Sequence, residues 1–419
     1  MFTLKNLLEG GFVLCSILTV NKDILFIVLE QKRLVIHIIF TFICAVASAE
    51  DAYFSRSYQD ADALFLKIIE KQKPYLHQVQ MQSYPHVADS KLNTRVVKIK
   101  SGEKSRYLTV LVSGTHGVEG FVGSALQSRL IDTKLPLFQG KTSDFLFIHA
   151  LNPYGFQNLR RTDQDNIDLN RNFLVNPKDF YSQNENYKKI SDFLNPQKLG
   201  SLHSYDKPLF VLRAVGLIFQ YGFQTLKNSI LVGQYQQQNG LFFGGYRYQD
   251  QKKIIDDVIA QEFPSYHGVV IIDLHTGYGE KNKLHILSGA TKEKKNIELN
   301  RFFQNKVEVV AQSDDFYRAQ GDLISYFQSK ETKQTQINGV VFEFGTMDSQ
   351  KILGSLESLR IMILENQFNF KPSLNESENQ QVQDLFANMF NPTDPKFRKE
   401  ILWQFDAQVD SLINYLNNL

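Results

Sequence analysis

Cysteine is almost missing from this chain of 419 residues: Cys15 and Cys44 are its two examples, and both fall in an N-terminal stretch read as lying outside the folded domain. Structural disulfides, a cysteine nucleophile and cysteine-ligated zinc are thereby set aside for the main domain. Charge of one sign is lacking as well. Lys and Arg number 46 against 44 Asp and Glu, a formal charge of +2. No Lys/Arg cluster is interleaved with aromatics and no acidic tail is present, so neither a nucleic-acid partner nor a disordered acidic segment is expected. There is no phosphate-cradling Gly-x-x-x-x-Gly-Lys loop and no internal repeat. Phe and Tyr are plentiful, 33 and 18, and are read as core and pocket wall.

The apolar run from Leu34 to Ala45 is twelve residues long, short of the about 20 that a membrane span needs. Lys32 and Arg33 precede it, and Ala47-Ser48-Ala49 follows with small residues at the spacing of a signal-peptidase site. That is the pattern of a secretory signal peptide at about 32–49. Export to a periplasm or to the exterior is expected, with no stable span in the mature chain. Residues 1–31 also carry apolar patches, Phe12 to Val20 and Ile24 to Leu29. A start codon assigned too early explains them, and an uncleaved membrane anchor is the alternative. The organisation expected is a leader at 1–49 and a domain at 50–419, long enough to bury a sizeable core.

What the domain does contain is a spaced set of metal-ligand types. His116 and Glu119 lie in Gly114-Thr-His-Gly-Val-Glu-Gly120. Tyr107 to Ser113 before them reads as a buried strand, whereas Val118, Phe121, Val122, Ala125, Leu126 and Leu130 behind them fall at helical spacing. His116 is then at a strand-to-helix junction and Glu119 one turn on, facing the crevice at the carboxyl end of a sheet. A lone His-x-x-Glu is weak evidence, because it arises often by chance. The second histidine strengthens it: Val269-Val-Ile-Ile272 reads as a central strand delivering Asp273-Leu274-His275. Alternation puts Asp273 and His275 on one face. Two His and one Glu are the protein ligands of a catalytic zinc that keeps its fourth position open. Asp273 is expected to support a ligand or cap a helix.

Along the chain, helices are expected at Asp60 to Lys71, about 251–261, 293–304, 349–365 and 399–418. Strands are expected at Arg95 to Lys100, Tyr107 to Ser113, Asp144 to Ala150, Gly268 to Leu274, Leu284 to Ser288 and Gly339 to Phe344. The alternation predicts an α/β fold: a mixed, mostly parallel central sheet flanked by helices. Residues 174–249, which include Gly240-Leu-Phe-Phe-Gly-Gly245, read as a helical insertion beside the sheet whose glycine-bounded segment forms a pocket rim. Lys371 to Gln383, polar and poor in apolar residues, reads as a surface connector.

A third constellation runs from Asn152-Pro-Tyr-Gly155 through Arg161 to Asp168-Leu-Asn-Arg-Asn-Phe173, and Glu343-Phe-Gly-Thr346 follows later. With the metal-ligand set, these ordered motifs over residues 114–346 resemble the zinc carboxypeptidase superfamily (M14-like), and within it a little-characterised bacterial carboxypeptidase-like branch, DUF2817-like. The resemblance implies one zinc ion per chain, held by His116, Glu119 and His275. It implies that Asp168 hydrogen-bonds a ligand histidine, and that Arg161 polarises the scissile carbonyl. Asn170 and Arg171 would grip a substrate carboxylate, and Glu343 would be the general base. Peptide-cleaving members usually supply a mobile tyrosine, for which Tyr326 and Tyr317 are candidates at imperfect spacing. Arg160 is read as a solvated surface arginine. His77, His86, His149, His203, His267 and His285 lack a motif and are read as structural or exposed.

The activity implied is zinc-dependent hydrolysis of an amide or peptide bond near a free carboxylate, by a metallocarboxypeptidase. The alternative is an N-acyl amino acid deacylase of the aspartoacylase and succinylglutamate desuccinylase type. Such deacylases usually append a β-rich domain after the catalytic glutamate, whereas residues 347–419 read mainly as helices. A non-catalytic binding module on the same fold is the third possibility. The partner expected is a peptide or an N-acyl amino acid.

Overall fold

The structure is a computed structural model and describes residues 51–103, 105–138, 142–222, 226, 229–230, 232–288, 293–304, 306–309 and 320–419. The leader with its signal, both cysteines and Tyr317 lie outside the described residues. Among those described, no helix is long and apolar enough to cross a membrane.

Long runs of Val, Ile, Leu and Phe form the centre of an eight-stranded sheet. Its strands are β1 (Gln78–Pro85), β2 (Asn93–Lys100), β3 (Tyr107–Ser113), β4 (Ser143–His149), β5 (Gly268–Gly277), β6 (Leu284–Ser288), β7 (Val307–Val309) and β8 (Gln336–Gly345). Their order is β1-β2-β4-β3-β5-β8-β6-β7. The central neighbours β4, β3, β5 and β8 pair in parallel, while β1 with β2, β2 with β4, and β6 with β8 are antiparallel. Parallel central strands are covered on both faces, which is why β3, β4 and β5 read as continuous apolar runs rather than alternating ones.

Helices α1 (Tyr58–Gln72), α2 (Gly120–Thr133), α3 (Pro153–Gln157), α4 (Glu185–Leu194), α5 (Lys207–Tyr221), α6 (Gln251–Glu262), α7 (Glu293–Phe302), α8 (Leu323–Gln328), α9 (Ile352–Phe370), α10 (Glu376–Phe390) and α11 (Pro395–Asn417) complete the domain. One layer of core sets Val270, Ile272, Val340 and Phe342 against Leu126 of α2 and Phe405 of α11. The other sets Val269, Ile271 and Val110 against Ile255 of α6 and Phe327 of α8. Side chains alternate along a strand, so Asp273 and His275 continue the row of Val269 and Ile271 beyond the apolar core. Glu343 belongs to that face too, since β5 and β8 pair in register with His275 opposite Glu343. Three strand ends thus carry ionisable groups to one crevice.

Three expectations need correcting. Lys371 to Gln383 is no connector: α10 starts at Glu376, with the Asn375 side chain accepting from Ser377 N. Its buried stripe of Val382, Phe386, Met389 and Phe390 lies mostly beyond the polar stretch that suggested a loop. The edge strand β1 has no counterpart among the expected strands, because its residues are largely exposed and show no apolar alternation. The short outer strand β7 has none either. Within 174–249, α4 and α5 form a satellite core with α9, built from Tyr187, Ile190, Phe210, Leu359 and Ile363.

The turn after β3 fits only because two glycines meet. Gly117 N donates to Arg161 O (3.1 Å) and Val118 N to Arg160 O (2.8 Å). A Cβ at Gly117 would stand 2.1 Å from the Gly155 carbonyl carbon, a backbone atom that cannot rotate away. Gly117→Ala is expected to destabilise the domain by about 1–3 kcal/mol or more, read from urea unfolding. An unchanged midpoint would show that the two backbones can separate without cost.

Candidate metal centre

β3 ends at Ser113, Gly114 turns the chain in the left-handed region at φ 64°, and His116 precedes the short 3-10 turn Gly117–Glu119. That turn brings the Glu119 carboxylate back to the edge of the His116 ring. His116 Nδ1 lies 2.9 Å from Glu119 Oε1, and His275 Nδ1 lies 2.9 Å from Glu119 Oε2. The two Nδ1 atoms are 3.1 Å apart. All three side chains are no more than 3% exposed. Among the described residues this is the one group of His, Cys, Asp or Glu with ligand atoms close enough to hold a metal.

The far side of each ring explains why the Nδ1 atoms face inward. His116 Nε2 is 3.0 Å from Asp168 Oδ1, and His275 Nε2 is 2.7 Å from Asp273 Oδ2. A carboxylate there favours the Nε2–H tautomer, which leaves the Nδ1 lone pair pointing at the centre. Asp273 is itself held by Thr115 Oγ1 at 2.8 Å, and Asp168 Oδ1 accepts from Asn170 N at 3.0 Å. Thr276 N donates to Glu119 Oε2 at 3.0 Å. Two inward lone pairs and one carboxylate repel each other unless positive charge stands between them. Two nitrogens and one oxygen, each backed by a second group, fit a zinc ion with an open fourth position.

Charge in the crevice is strongly coupled. Burial works against an ionised Glu119, yet His116 and His275 outweigh it and hold its pKa below the usual carboxylate range. Burial likewise opposes a charge on His275, but Asp273 and Glu119 raise its pKa well above 6.5. Asp168 is held well below its ordinary value, burial being overcome by Arg161, His116 and Arg171. Glu343 shifts upward, through burial and then the negative charge of Glu119. Its Oε1 accepts from Tyr278 N at 2.9 Å, which anchors the carboxyl at the strand end.

The structure brings Arg161 into the centre: Nε donates to Asp168 Oδ2 (3.1 Å), Nη1 to Glu119 Oε1 (3.3 Å), and Phe242 of the insertion lies over the guanidinium at 5.9 Å. Asn170 and Arg171 are placed differently from an open clamp. Asn170 Oδ1 accepts from Leu323 N (2.9 Å) at the start of α8. Arg171 is 1% exposed, donates from Nη1 to Asn170 O, and runs beneath Gly233, where a Cβ would meet its Cδ at 2.7 Å. Tyr326 is packed in the core against Phe173, with its hydroxyl on Asp256. Arg160 is a correction: it is buried, and bonded to Glu365 and Asn166 rather than solvated.

The remaining histidines fall outside the centre. His149 stacks on Phe65 and meets Ser124 Oγ, His86 Nδ1 accepts from Ala88 N, His285 Nε2 accepts from Glu280 N, and His77, His203 and His267 are exposed. Sequence reasoning misses Thr115 and Phe242. Thr115 sits inside the first motif and becomes visible only when Asp273 is known to face it.

Two measurements check the donor set. His275→Ala is expected to abolish stoichiometric zinc in purified protein by elemental analysis. Asp168→Asn is expected to retain the site but weaken zinc affinity by about 10–100-fold. Full zinc in His275→Ala would remove that residue from the ligand set.

The fold is similar to that of bovine thrombin-activatable fibrinolysis inhibitor solved with tick carboxypeptidase inhibitor, at 11% identity and a TM-score of 0.44, over 75% of this chain and 96% of that one. It is also similar to carboxypeptidase A from Helicoverpa armigera (14% identity, TM-score 0.43, 81% and 74% covered). A succinylglutamate desuccinylase from a Silicibacter species gives 14% identity and a TM-score of 0.35, with 71% and 68% covered. No curated protein matches the chain. Residues 54–404 match the family described as a protein of unknown function, DUF2817. That span takes in every motif that carries the DUF2817-like resemblance, and the chain belongs to this family.

Proposed function

We propose that the protein is a zinc-dependent hydrolase that cleaves an amide or peptide bond near a free carboxylate, acting as a metallocarboxypeptidase. The observation that carries this is the inward-facing set of His116 Nδ1, His275 Nδ1 and the Glu119 carboxylate, with Glu343 across the strand pair from His275. Zinc, when bound, supplies Lewis acidity that makes water acidic enough to attack at neutral pH.

The chain's own residues supply the remainder. Glu343, held by Tyr278 N, takes a proton from the attacking water and returns it to the leaving nitrogen. Arg161 is assigned as the donor to a carbonyl oxygen that gains negative charge. One preorganised donor of this kind is worth roughly 3–4 kcal/mol. Its present partners, Glu119 and Asp168, hold the guanidinium at the edge of the centre. Asn170 and Arg171 are assigned to the substrate carboxylate, for which a planar guanidinium fork is suited. Because Arg171 is covered by Gly233, the segment around Gly233 has to lift for a carboxylate to reach it.

The deacylase reading shares the metal chemistry and differs in substrate. Residues 352–417 form the three helices α9, α10 and α11 rather than a β-rich domain, which supports the peptidase. A binding module would not need Glu343 beside the ligand set.

Glu343→Gln is expected to keep its zinc and lose about 10²–10⁴-fold in turnover of C-terminally free peptides. Retained turnover would exclude Glu343 as the base. Amidated peptides are expected to be poor substrates for the wild type, because Arg171 then has no carboxylate to bind. Equal turnover of free and amidated peptides would remove Arg171 from substrate recognition, and faster turnover of N-acyl amino acids than of peptides would select the deacylase.

A further inference from the structure

The geometry points to Arg160 as a positioning residue whose ion pair with Glu365 fixes the metal-bearing turn; the inference rests on the metal reading of the site. The Arg160 side chain bonds to Glu365 and Asn166 rather than to the three candidate ligands. The influence of Arg160 runs through its backbone. Arg160 O accepts from Val118 N at 2.8 Å, and the next carbonyl, Arg161 O, accepts from Gly117 N at 3.1 Å. Those two amides belong to the turn that ends in Glu119. The direction of the Arg160 and Arg161 carbonyls therefore sets where the Glu119 carboxylate sits, and the same segment carries the Arg161 guanidinium.

That segment is not a relaxed one. Leu159 stands at φ 53°, in the left-handed region that a branched, bulky residue avoids. Such conformations persist where surrounding contacts determine them. Arg160 supplies those contacts: Nε donates to Glu365 Oε1 at 2.8 Å, Nη2 donates to Asn166 Oδ1 at 2.9 Å, and the guanidinium lies 5.9 Å from the Phe370 ring centroid. Both partners in the ion pair are largely buried, with side chains 9% and 12% exposed. Glu365 and Phe370 lie on α9, which follows β8 and Glu343. Asn166 is anchored in turn to the insertion, its Nδ2 donating to Gln238 O and Gly240 O. Through one side chain the α9 helix, the 159–166 loop and the insertion all bear on the Glu119 turn.

The test is the zinc affinity of the purified full chain, measured by competition with a chromogenic chelator at a temperature where the unfolding curve shows each variant folded. Arg160→Met and Glu365→Gln are each expected to weaken zinc binding by about 10–100-fold, the range for groups that orient a ligand without touching the metal. The charge-swapped double variant Arg160→Glu with Glu365→Arg is expected to regain part of that loss. Arg95→Met, which removes a comparable pair with Asp62 at 2.7 Å between β2 and α1, is expected to lower the thermal midpoint and leave zinc affinity unchanged. If Arg160→Met does not fold, the isosteric Glu365→Gln carries the test. Wild-type zinc affinity in the folded single variants overturns the strut, as does an equal loss in Arg95→Met. Failure of the wild type to bind zinc overturns the strut and the functional reading together. Weakened zinc in the variants beside a wild type that binds zinc but hydrolyses nothing leaves the strut standing and removes the hydrolase.

Discussion

Everything in the crevice answers to one electrostatic constraint: two imidazole lone pairs and a carboxylate converge among buried side chains. Within a protein such a gathering persists only when a proton or a metal cation neutralises it. His116 and His275 cannot escape by turning, because each ring is tied at its other nitrogen to a buried carboxylate. Glu119 cannot swing out either, since Thr276 N and both rings hold its oxygens. A site so restrained on its outer side is preorganised for a cation, and that restraint is what distinguishes it from a chance meeting of two histidines and a glutamate.

The fold meets this constraint with strand ends. β3 delivers the His116 turn, β5 delivers Asp273 and His275 on one face, and β8 sets Glu343 in register with His275. Loops then brace what the strands present. The Asn152 to Arg161 segment packs backbone against backbone on Gly117, and its carbonyls take up the amides that would otherwise be orphaned at the start of the turn. Arg161 occupies the edge of the site in contact with two of the carboxylates. Arg171 lies deeper, 1% exposed and packed against Gly233.

Much of this is legible in the sequence because the informative signals are local. Apolar runs of the right length mark β3, β5 and β8, and period-2 alternation is enough to put Asp273 and His275 on one face of β5. His116 and Glu119 are visible as a pair three residues apart at a strand-to-helix boundary. What is not legible is non-local. Arg160 reads as solvated, because nothing near it in sequence announces a partner 205 residues away at Glu365. Tyr326 sits near the spacing of a catalytic tyrosine, yet it lies in an apolar layer with its hydroxyl on Asp256. Helix α10 is hidden by composition: its first turns are polar and exposed, and its buried stripe is concentrated at the far end.

The central claim is that the His116, Glu119 and His275 donors hold one zinc ion. The most direct measurement is anomalous diffraction at the zinc absorption edge from crystals grown with zinc. The prediction is a single strong peak per chain bonded to both Nδ1 atoms and to the Glu119 carboxylate, with the Nε2 atoms still on Asp168 and Asp273. A crevice without an anomalous peak, or a peak bound through other residues, would contradict it.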